Sequence, residues 1–207
     1  SQSTQDVKLP HFDKLKVTNQ ITVYLTQGEA EMARIVAKGI ELDDIITEVN
    51  AKTLEITLKR GVYKDISVEV YLTYRELRDV SVSGSGRVSF QTVLEGDKVV
   101  LNALTNGEID AKLNLRTLDV TASKGGSIRL EGRLGSYEAR VLTAGILSAF
   151  DLQADSAFVN ISTKGIAKVS AKELLDANVR TGATLTIQGS PNVKRVKTGV
   201  GATVLEQ

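Results

Sequence analysis

Apolar and polar residues alternate along most of this chain, and the alternation recurs in units of about 20 residues. Small residues mark equivalent points of successive units, and in chain order they are Gly86, Gly107, Gly126, Gly145, Gly165, Ala183 and Ala202. Their separations are 21, 19, 19, 20, 18 and 19 residues. A repeat of this length is typical of solenoids, in which each unit stacks on its neighbour.

The residues around each marker are apolar at a spacing of two. Val120 and Ala122 precede Gly126, for example, while Ile128 and Leu130 follow it. Because strand side chains alternate between two faces, each unit supplies two short strands with one inward face. An antiparallel sandwich would reverse neighbouring strands, so its successive units would not match column by column. The pattern therefore predicts a right-handed parallel β-helix, with the marker glycines at corners where a residue with a Cβ resists the required backbone conformation.

The chain divides into three segments. Residues 77–207 carry the regular repeat and are expected to form about seven coils of about 20 residues. Residues 12–76 alternate less regularly, which is compatible with early coils or with a small sheet. We expect this segment to cap the solenoid, because an uncovered first coil would expose strand edges and a core layer. Residues 1–11 are expected to be a tail.

The amino-acid composition limits the kinds of core, ligand and catalytic group that the protein can have. Aromatic residues make up 4% of the 207 residues and tryptophan is absent, so the core must be built from Val, Ile, Leu and Ala. The net charge of +1 argues against bulk electrostatic capture of nucleic acid or an anionic membrane. The absence of cysteine excludes thiolate catalysis and disulfides. No apolar run reaches the roughly 20 residues of a membrane span. The polar start without methionine is expected of a processed chain or of one trimmed at this end, with any export signal already removed.

Four stretches of the chain resemble a known family. They are Phe12-Asp-Lys-Leu-Lys-Val17, Ile21-Thr-Val-Tyr-Leu-Thr-Gln-Gly28, residues 45–56, and the segment from Leu77 to Val80-Ser-Val-Ser-Gly-Ser-Gly86. In these the chain is similar to the auto-transporter adhesin head domain, also called the head GIN domain. The resemblance implies a β-helical body and an exported adhesin of the periplasm, outer membrane or cell surface, with a lipid anchor upstream of residue 1. It implies no catalytic mechanism.

Outward columns of the predicted coils hold the candidate binding residues. The polar column three residues after each marker contains Ser89, Asp110, Arg129, Ser148, Lys168 and Thr186. Stacked coils lie about 4.8 Å apart, so this column would form a hydrogen-bonding ledge for an extended glycan or a surface protein. The alternative is a solvated face held by ion pairs between coils, such as Asp110 with Arg129 and Lys112 with Glu131.

Four apolar residues fall at positions that should point outward, namely Leu142, Ile146, Phe150 and Ile166. Clustered over two coils, they predict a patch for a partner or for a second copy of the chain. Alternatively they lie beneath another segment, or the corner resets the alternation.

Catalytic chemistry has few candidates in this sequence. His11 is the only histidine and lies in the predicted tail. Glu108 and Asp110 would share a strand face at a spacing that suits glycoside hydrolysis. No aromatic residue stands near them in the sequence to hold a sugar. We predict a recognition protein without a metal or another cofactor. A carbohydrate-active enzyme and a structural assembly module are the alternatives.

Overall fold

The computed structural model describes all 207 residues, Ser1–Gln207, and they form an all-β solenoid of about seven turns with about 19 residues per turn. The predicted solenoid is thereby confirmed. A 3₁₀ turn at Leu42–Asp44 is the one helical element. The strands, numbered in chain order, are β1 Gln2–Lys8, β2 Lys14–Val17, β3 Thr22–Gln27, β4 Met32–Lys38, β5 Ile45–Asn50, β6 Thr53–Leu58, β7 Ser67–Tyr74, β8 Asp79–Val82, β9 Arg87–Phe90, β10 Leu94–Leu104, β11 Glu108–Ser123, β12 Ser127–Leu142, β13 Ile146–Ile161, β14 Ile166–Ser170, β15 Leu174–Val179, β16 Thr184–Gln188, β17 Val193–Thr198 and β18 Thr203–Glu206.

The strands stack in two rows. The first row contains β7, β3, β9, the first halves of β11, β12 and β13, and then β14, β16 and β18, all parallel. The second row contains β6, β2, β8, the end of β10, the second halves of β11, β12 and β13, and then β15 and β17, also parallel. Like positions of successive coils therefore lie opposite one another.

The coil that begins at Glu108 shows how the sequence produces one turn. Side chains alternate in and out up to the corner, where Arg116 and Thr117 both face outward. The alternation then resumes in the opposite phase. The inward side chains, all buried, are Ile109, Ala111, Leu113, Leu115, Leu118, Val120 and Ala122. A change of phase within one long strand lets the chain turn a corner while the same interior stays covered.

The N-terminal part contains both features that the sequence left open, early coils and antiparallel strands. The coil β2–β3 does not stand at the end of the stack. It lies between β6–β7 on one side and β8–β9 on the other. Beyond β6–β7, the strands β4 and β5 pair antiparallel with β7 and β6, and β1 pairs with β4. These antiparallel strands cap the solenoid. The segment 1–11, expected to be a tail, holds β1.

Tight turns connect the second row to the next coil. In Leu104–Gly107 the N–H of Gly107 donates to the carbonyl of Leu104 at 2.9 Å. The central residues Thr105 and Asn106 have φ values of 48° and 62°, which defines a type I′ turn. Equivalent turns recur at 123–126, 142–145 and 162–165.

The expected reason for the marker glycines is wrong. The left-handed backbone belongs to the two residues before each marker, not to the marker itself. Glycine is required instead because the turn presses against the previous coil. A Cβ on Gly126 would lie 1.9 Å from the carbonyl oxygen of Ala103, and one on Gly145 would lie 2.1 Å from that of Ala122.

One hydrophobic core of 55 buried residues extends from Phe12 to Ile187. It crosses the boundary between segments 12–76 and 77–207 without a break, and that division stays a prediction. The capped end holds larger rings, with Tyr74 packed edge-on against Phe90 at 6.3 Å between centroids. The regular coils use many alanines, which keep the interior thin. The chain has no helix of the length and hydrophobicity that crossing a membrane requires.

Candidate ligand-binding face

The six residues of the predicted polar column lie opposite one another in a single file. Their pairing runs without interruption in the order Ser89, Asp110, Arg129, Ser148, Lys168 and Thr186. Strand spacing places neighbouring members about 4.8 Å apart. We call this set the polar file. It crosses the outward surface of the first row, where the rigid core beneath fixes the backbone of every member.

The members of the polar file differ in exposure. Asp110, Arg129 and Lys168 are exposed, while Ser89 and Ser148 are partly covered. Thr186, predicted to face solvent, is only 7% exposed. Its short side chain lies between Lys168 on one neighbouring strand and Leu205 on the other, which accounts for this correction.

The ion pairs expected within the face do not form. Asp110 lies opposite Arg129, and Lys112 opposite Glu131, yet neither pair makes a salt bridge. Glu108 instead binds Arg87 of the adjacent coil. Arg129 and Lys168 therefore carry positive charges that no acidic side chain of the protein pairs.

Three of the four predicted apolar residues gather beside the polar file. Ile146 and Ile166 lie opposite each other and are 38% and 42% exposed. Phe150 lies on the same outward side of β13 and is partly buried. Leu142 does not join them. It precedes the turn 142–145 and so belongs to the second row, which corrects the prediction of one four-residue patch.

A bulge in β13 joins the polar file to the apolar residues. Ala149 and Phe150 together oppose the single residue Leu130 of β12, because the register shifts by one between Arg129 and Glu131. The bulge opens a shallow cavity of about 210 Å³ lined by Arg129, Ser148, Phe150, Asp151 and Lys168. Bulges of this kind commonly redirect side chains at functional surfaces.

A larger groove, of about 680 Å³, lies where the first row ends and the coils turn toward the second row. We call it the step groove. The polar side chains that line it are Asn114, Arg133, Gln153, Asp155, Ser170, Lys172 and Gln188. Strand β13 pairs with β14 only as far as Ser148 and with β15 only from Ser156, so the chain between these points projects beyond the following coils.

The step groove was missed in the sequence, although its cause is visible there. The interval from Gly145 to Gly165 is 20 residues, whereas the interval from Gly165 to Ala183 is 18. A long coil followed by a short one must leave a step at the surface. Which side chains would line that step depends on where the extra residues are placed, and the spacing alone does not specify this.

An aromatic pair was also missed. Tyr24 and Tyr71 lie 47 positions apart in the sequence but opposite each other in β3 and β7. Their rings stack with centroids 5.1 Å apart and planes 20° apart. Tyr24 is in turn opposite Ser89, so the aromatic pair continues the polar file toward the capped end. Partial burial and the neighbouring Glu69 raise the pKa of Tyr24 above its ordinary value.

Two of the three candidate catalytic residues, His11 and Glu108, contact other charged side chains. His11 lies between two carboxylates, with Nδ1 2.8 Å from Glu31 and Nε2 3.4 Å from Glu76. Glu108 is bound to Arg87. No group of three or more His, Asp or Glu side chains is arranged so that it could hold a metal ion.

Comparison with protein-family models places the chain. The model described as "Putative auto-transporter adhesin, head GIN domain" matches residues 11–191. The chain belongs to this family. The predicted resemblance is thus confirmed, and it spans most of the solenoid together with the antiparallel strands β4 and β5.

Solved structures share the head GIN fold. A crystal structure described as a putative adhesin from Bacteroides fragilis has 23% identity and a TM-score of 0.89, and the match covers 100% of this chain and 97% of that one. A putative adhesin from Parabacteroides distasonis has 20% identity and a TM-score of 0.74, covering 100% and 97%. A putative lipid binding protein from the same species has 20% identity and a TM-score of 0.71, covering 100% and 96%. At these identities, the shared property is the fold. A comparison with curated proteins finds no match.

Proposed function

We propose that this head GIN domain belongs to an exported recognition protein that binds a glycan or a surface protein through the outward face of its first row. The polar file carries this proposal. Six side chains that are widely separated in the sequence form one straight series, at the spacing of successive strands. An extended ligand could therefore meet a hydrogen-bonding group at each coil that it crosses.

Unpaired charge supports this assignment. Arg129 and Lys168 are exposed, and no carboxylate of the chain neutralises them. The step groove adds amide, carboxylate and basic side chains at the end of the first row. Because the core under the face is close-packed, these groups lose little backbone freedom when a ligand binds, and a rigid site avoids part of the entropic cost of association.

The proposal includes location and the absence of catalysis. Membership of an adhesin-described family supports a position at the cell surface, in the outer membrane or in the periplasm. The pairing of Glu108 with Arg87 supports binding without turnover, since one carboxylate of the Glu108 and Asp110 pair is already in an ion pair. One structural neighbour is described as lipid binding. The charged side chains of Arg133, Asp155 and Lys172 in the step groove favour a polar ligand here instead.

Array binding tests the proposal. The chain is applied to immobilised glycans and to extracellular-matrix proteins, and release of reducing sugar is measured on the same glycans. We expect binding without sugar release, and at least a tenfold loss of binding in the double variant Arg129→Ala/Lys168→Ala. The control Lys16→Ala/Arg180→Ala removes two exposed basic residues of the second row and its following turn, and should bind like the wild type. Turnover that Asp110→Asn abolishes would instead establish a carbohydrate-active enzyme.

A structural assembly module is the second candidate, and the exposure of Ile146 and Ile166 favours it. If these residues and Phe150 hold a second copy, light scattering should detect an oligomer that Phe150→Asp dissociates. Phe158→Asp serves as the matched control, because Phe158 is 37% exposed on the second row. A monomer at all concentrations would refute assembly through this patch.

A further inference from the structure

The aromatic pair and the polar file enclose a notch on the first row. Tyr24, Ser89 and Asp110 lie opposite one another on three consecutive strands. Ser89 is the smallest of the three, so it forms the floor between a ring on one side and an exposed carboxylate on the other. Two strand spacings separate the walls, which is about 9.6 Å.

The stacking of the tyrosines determines how Tyr24 presents its ring. Its centroid distance to Tyr71, 5.1 Å, is close to the spacing of the coils, and the planes differ by only 20°. The planes of the two rings therefore lie roughly perpendicular to the solenoid axis. One face of Tyr24 contacts Tyr71, which is itself 46% exposed, and the other face is directed toward the space above Ser89.

Polar groups border the same space. Arg87 and Glu108, held together by their ion pair, occupy the adjacent outward positions of the same two coils. Gln91 lies on the opposite side and donates a hydrogen bond from Nε2 to Ser89 Oγ at 3.2 Å. The notch thus combines one flat apolar wall with carboxylate, guanidinium, amide and hydroxyl groups around it.

We infer that this notch is a subsite for one pyranose ring of a glycan. A pyranose has an apolar face of C–H groups, which packs on an aromatic face at about 4 Å, and a rim of hydroxyls, which bond carboxylates at about 2.7 Å. The separation of the walls accommodates one such ring between Tyr24 and Asp110. The remaining units of the glycan would then extend along the polar file toward Arg129 and Lys168.

This inference rests on the proposed function, and it selects a glycan over a protein as the ligand. The probe is an array of neutral gluco-, manno- and galacto-configured oligosaccharides of four to eight units. Intrinsic fluorescence provides a second readout, since the chain has five tyrosines and no tryptophan. We expect the wild type to bind at least one of these oligosaccharides and to change its tyrosine emission on binding.

Filling the notch is the decisive change. Ser89→Tyr should continue the tyrosine stack, preserve the strand and reduce binding at least tenfold, as should Tyr24→Ala. Ser81→Tyr is the matched control, because it makes the same substitution in the neighbouring strand β8 on the second row, and it should leave binding unchanged. Thermal unfolding of each variant verifies that the fold is intact.

The outcomes separate the subsite from the proposed function. Oligosaccharide binding that Arg129→Ala/Lys168→Ala weakens but Ser89→Tyr leaves intact would overturn the subsite and keep the recognition face. Binding to matrix proteins without binding to any oligosaccharide would overturn the subsite in the same way. Failure of the wild type to bind any glycan or protein would overturn both.

Discussion

At the scale of single residues, the requirement for glycine comes from distance and not from backbone angle. The turns that close each coil place φ values above zero at two positions, and these are occupied by Thr, Asn, Lys and Ala as well as by glycine. The following glycine has an ordinary φ, but it approaches the carbonyl of the previous coil so closely that a methyl group does not fit. The marker that reveals the repeat in the sequence is thus a packing constraint between coils.

Gly126→Ala should therefore destabilise the protein. Its Cβ would lie 1.9 Å from the Ala103 carbonyl oxygen, so two backbone segments must separate. Overpacking of this kind typically costs about 1–3 kcal/mol, measured here as a lower midpoint in urea unfolding. Gly61→Ala is the control, because the nearest atoms there belong to the side chain of Tyr63 at 3.3 Å, and its effect should stay within about 0.5 kcal/mol. Equal midpoints for the two variants would refute the steric explanation.

A buried hydroxyl also makes the stability depend on alkaline pH. Tyr137 is buried, its hydroxyl has no hydrogen-bond partner, and burial raises its pKa well above the ordinary value of 10.0. Above pH 10 the unfolded chain loses this proton while the folded chain keeps it. The stability that this site contributes is therefore complete below pH 10 and falls by about 1.4 kcal/mol per pH unit above it.

Tyr137→Phe should remove that dependence. We expect no loss of stability at pH 7, since the change deletes an unpartnered buried hydroxyl. Between pH 10 and 11, the variant should lose about 1 kcal/mol less than the wild type, because half of the unfolded chains have already lost this proton at pH 10. Urea unfolding at pH 7, 10 and 11 measures both effects, and parallel pH profiles would show that Tyr137 is accessible to base in the folded protein.

At the scale of elements, the two ends of the stack are closed differently. Antiparallel strands cover the N-terminal end. At the other end, β17 and β18 each have a strand partner on one side only, and their apolar residues Val196 and Val204 are partly exposed. Strand β17 carries Lys194, Arg195 and Lys197, and Lys194 forms an ion pair with Glu206 of β18. Charges on an open edge discourage pairing with other chains.

Removing those charges should promote association. In Lys194→Val/Lys197→Val, the edge of β17 becomes apolar while its hydrogen-bonding groups stay unpaired. We expect light scattering of the 207-residue chain to increase with concentration, whereas the wild type is unchanged over the same range. Lys112→Val is the control, since Lys112 is exposed on β11 between paired strands on both sides. If Lys112→Val also associates, the cause is added surface hydrophobicity and not the open edge of β17.

At the scale of the whole molecule, the regular coils could be predicted from the sequence, whereas the order in which the N-terminal coils stack could not. Ala122, Val141 and Ile161 share one interior because each stands four residues before the glycine that ends its turn, and that offset is visible in the sequence. No such local signal shows that β2 lies between β6 and β8, because register between parallel strands depends on which coil the chain returns to.

The candidate site, like the fold, could be predicted from the sequence only in part. Each member of the polar file stands three residues after a repeat marker, so the sequence alone predicts this set. The stacking of Tyr24 on Tyr71 depends on the non-sequential order of coils, and the step groove depends on where one coil exceeds the next. Neither feature can therefore be predicted without the three-dimensional arrangement of the coils.

Truncation at the two ends should have opposite consequences. Removing residues 193–207 deletes the last coil, and the remaining coils keep their neighbours, so hydrogen exchange should accelerate only in β15 and β16. Removing residues 1–27 deletes a coil from within the stack and deprives β4, β6, β7, β8 and β9 of partners, so exchange should accelerate in β4 and throughout residues 53–90. Equal, local effects of both truncations would contradict the order of coils described above.

The in-register stacking of coils makes the length of this molecule adjustable in discrete increments. Duplication of one 19-residue unit would lengthen the solenoid by about 4.8 Å and leave every other alignment unchanged. A single extra residue, by contrast, can be absorbed locally, as it is at Phe150. Evolution can thus tune reach and local shape independently, the first by whole copies and the second by single insertions. Whole coils can therefore be added or removed while the register between the remaining strands is kept.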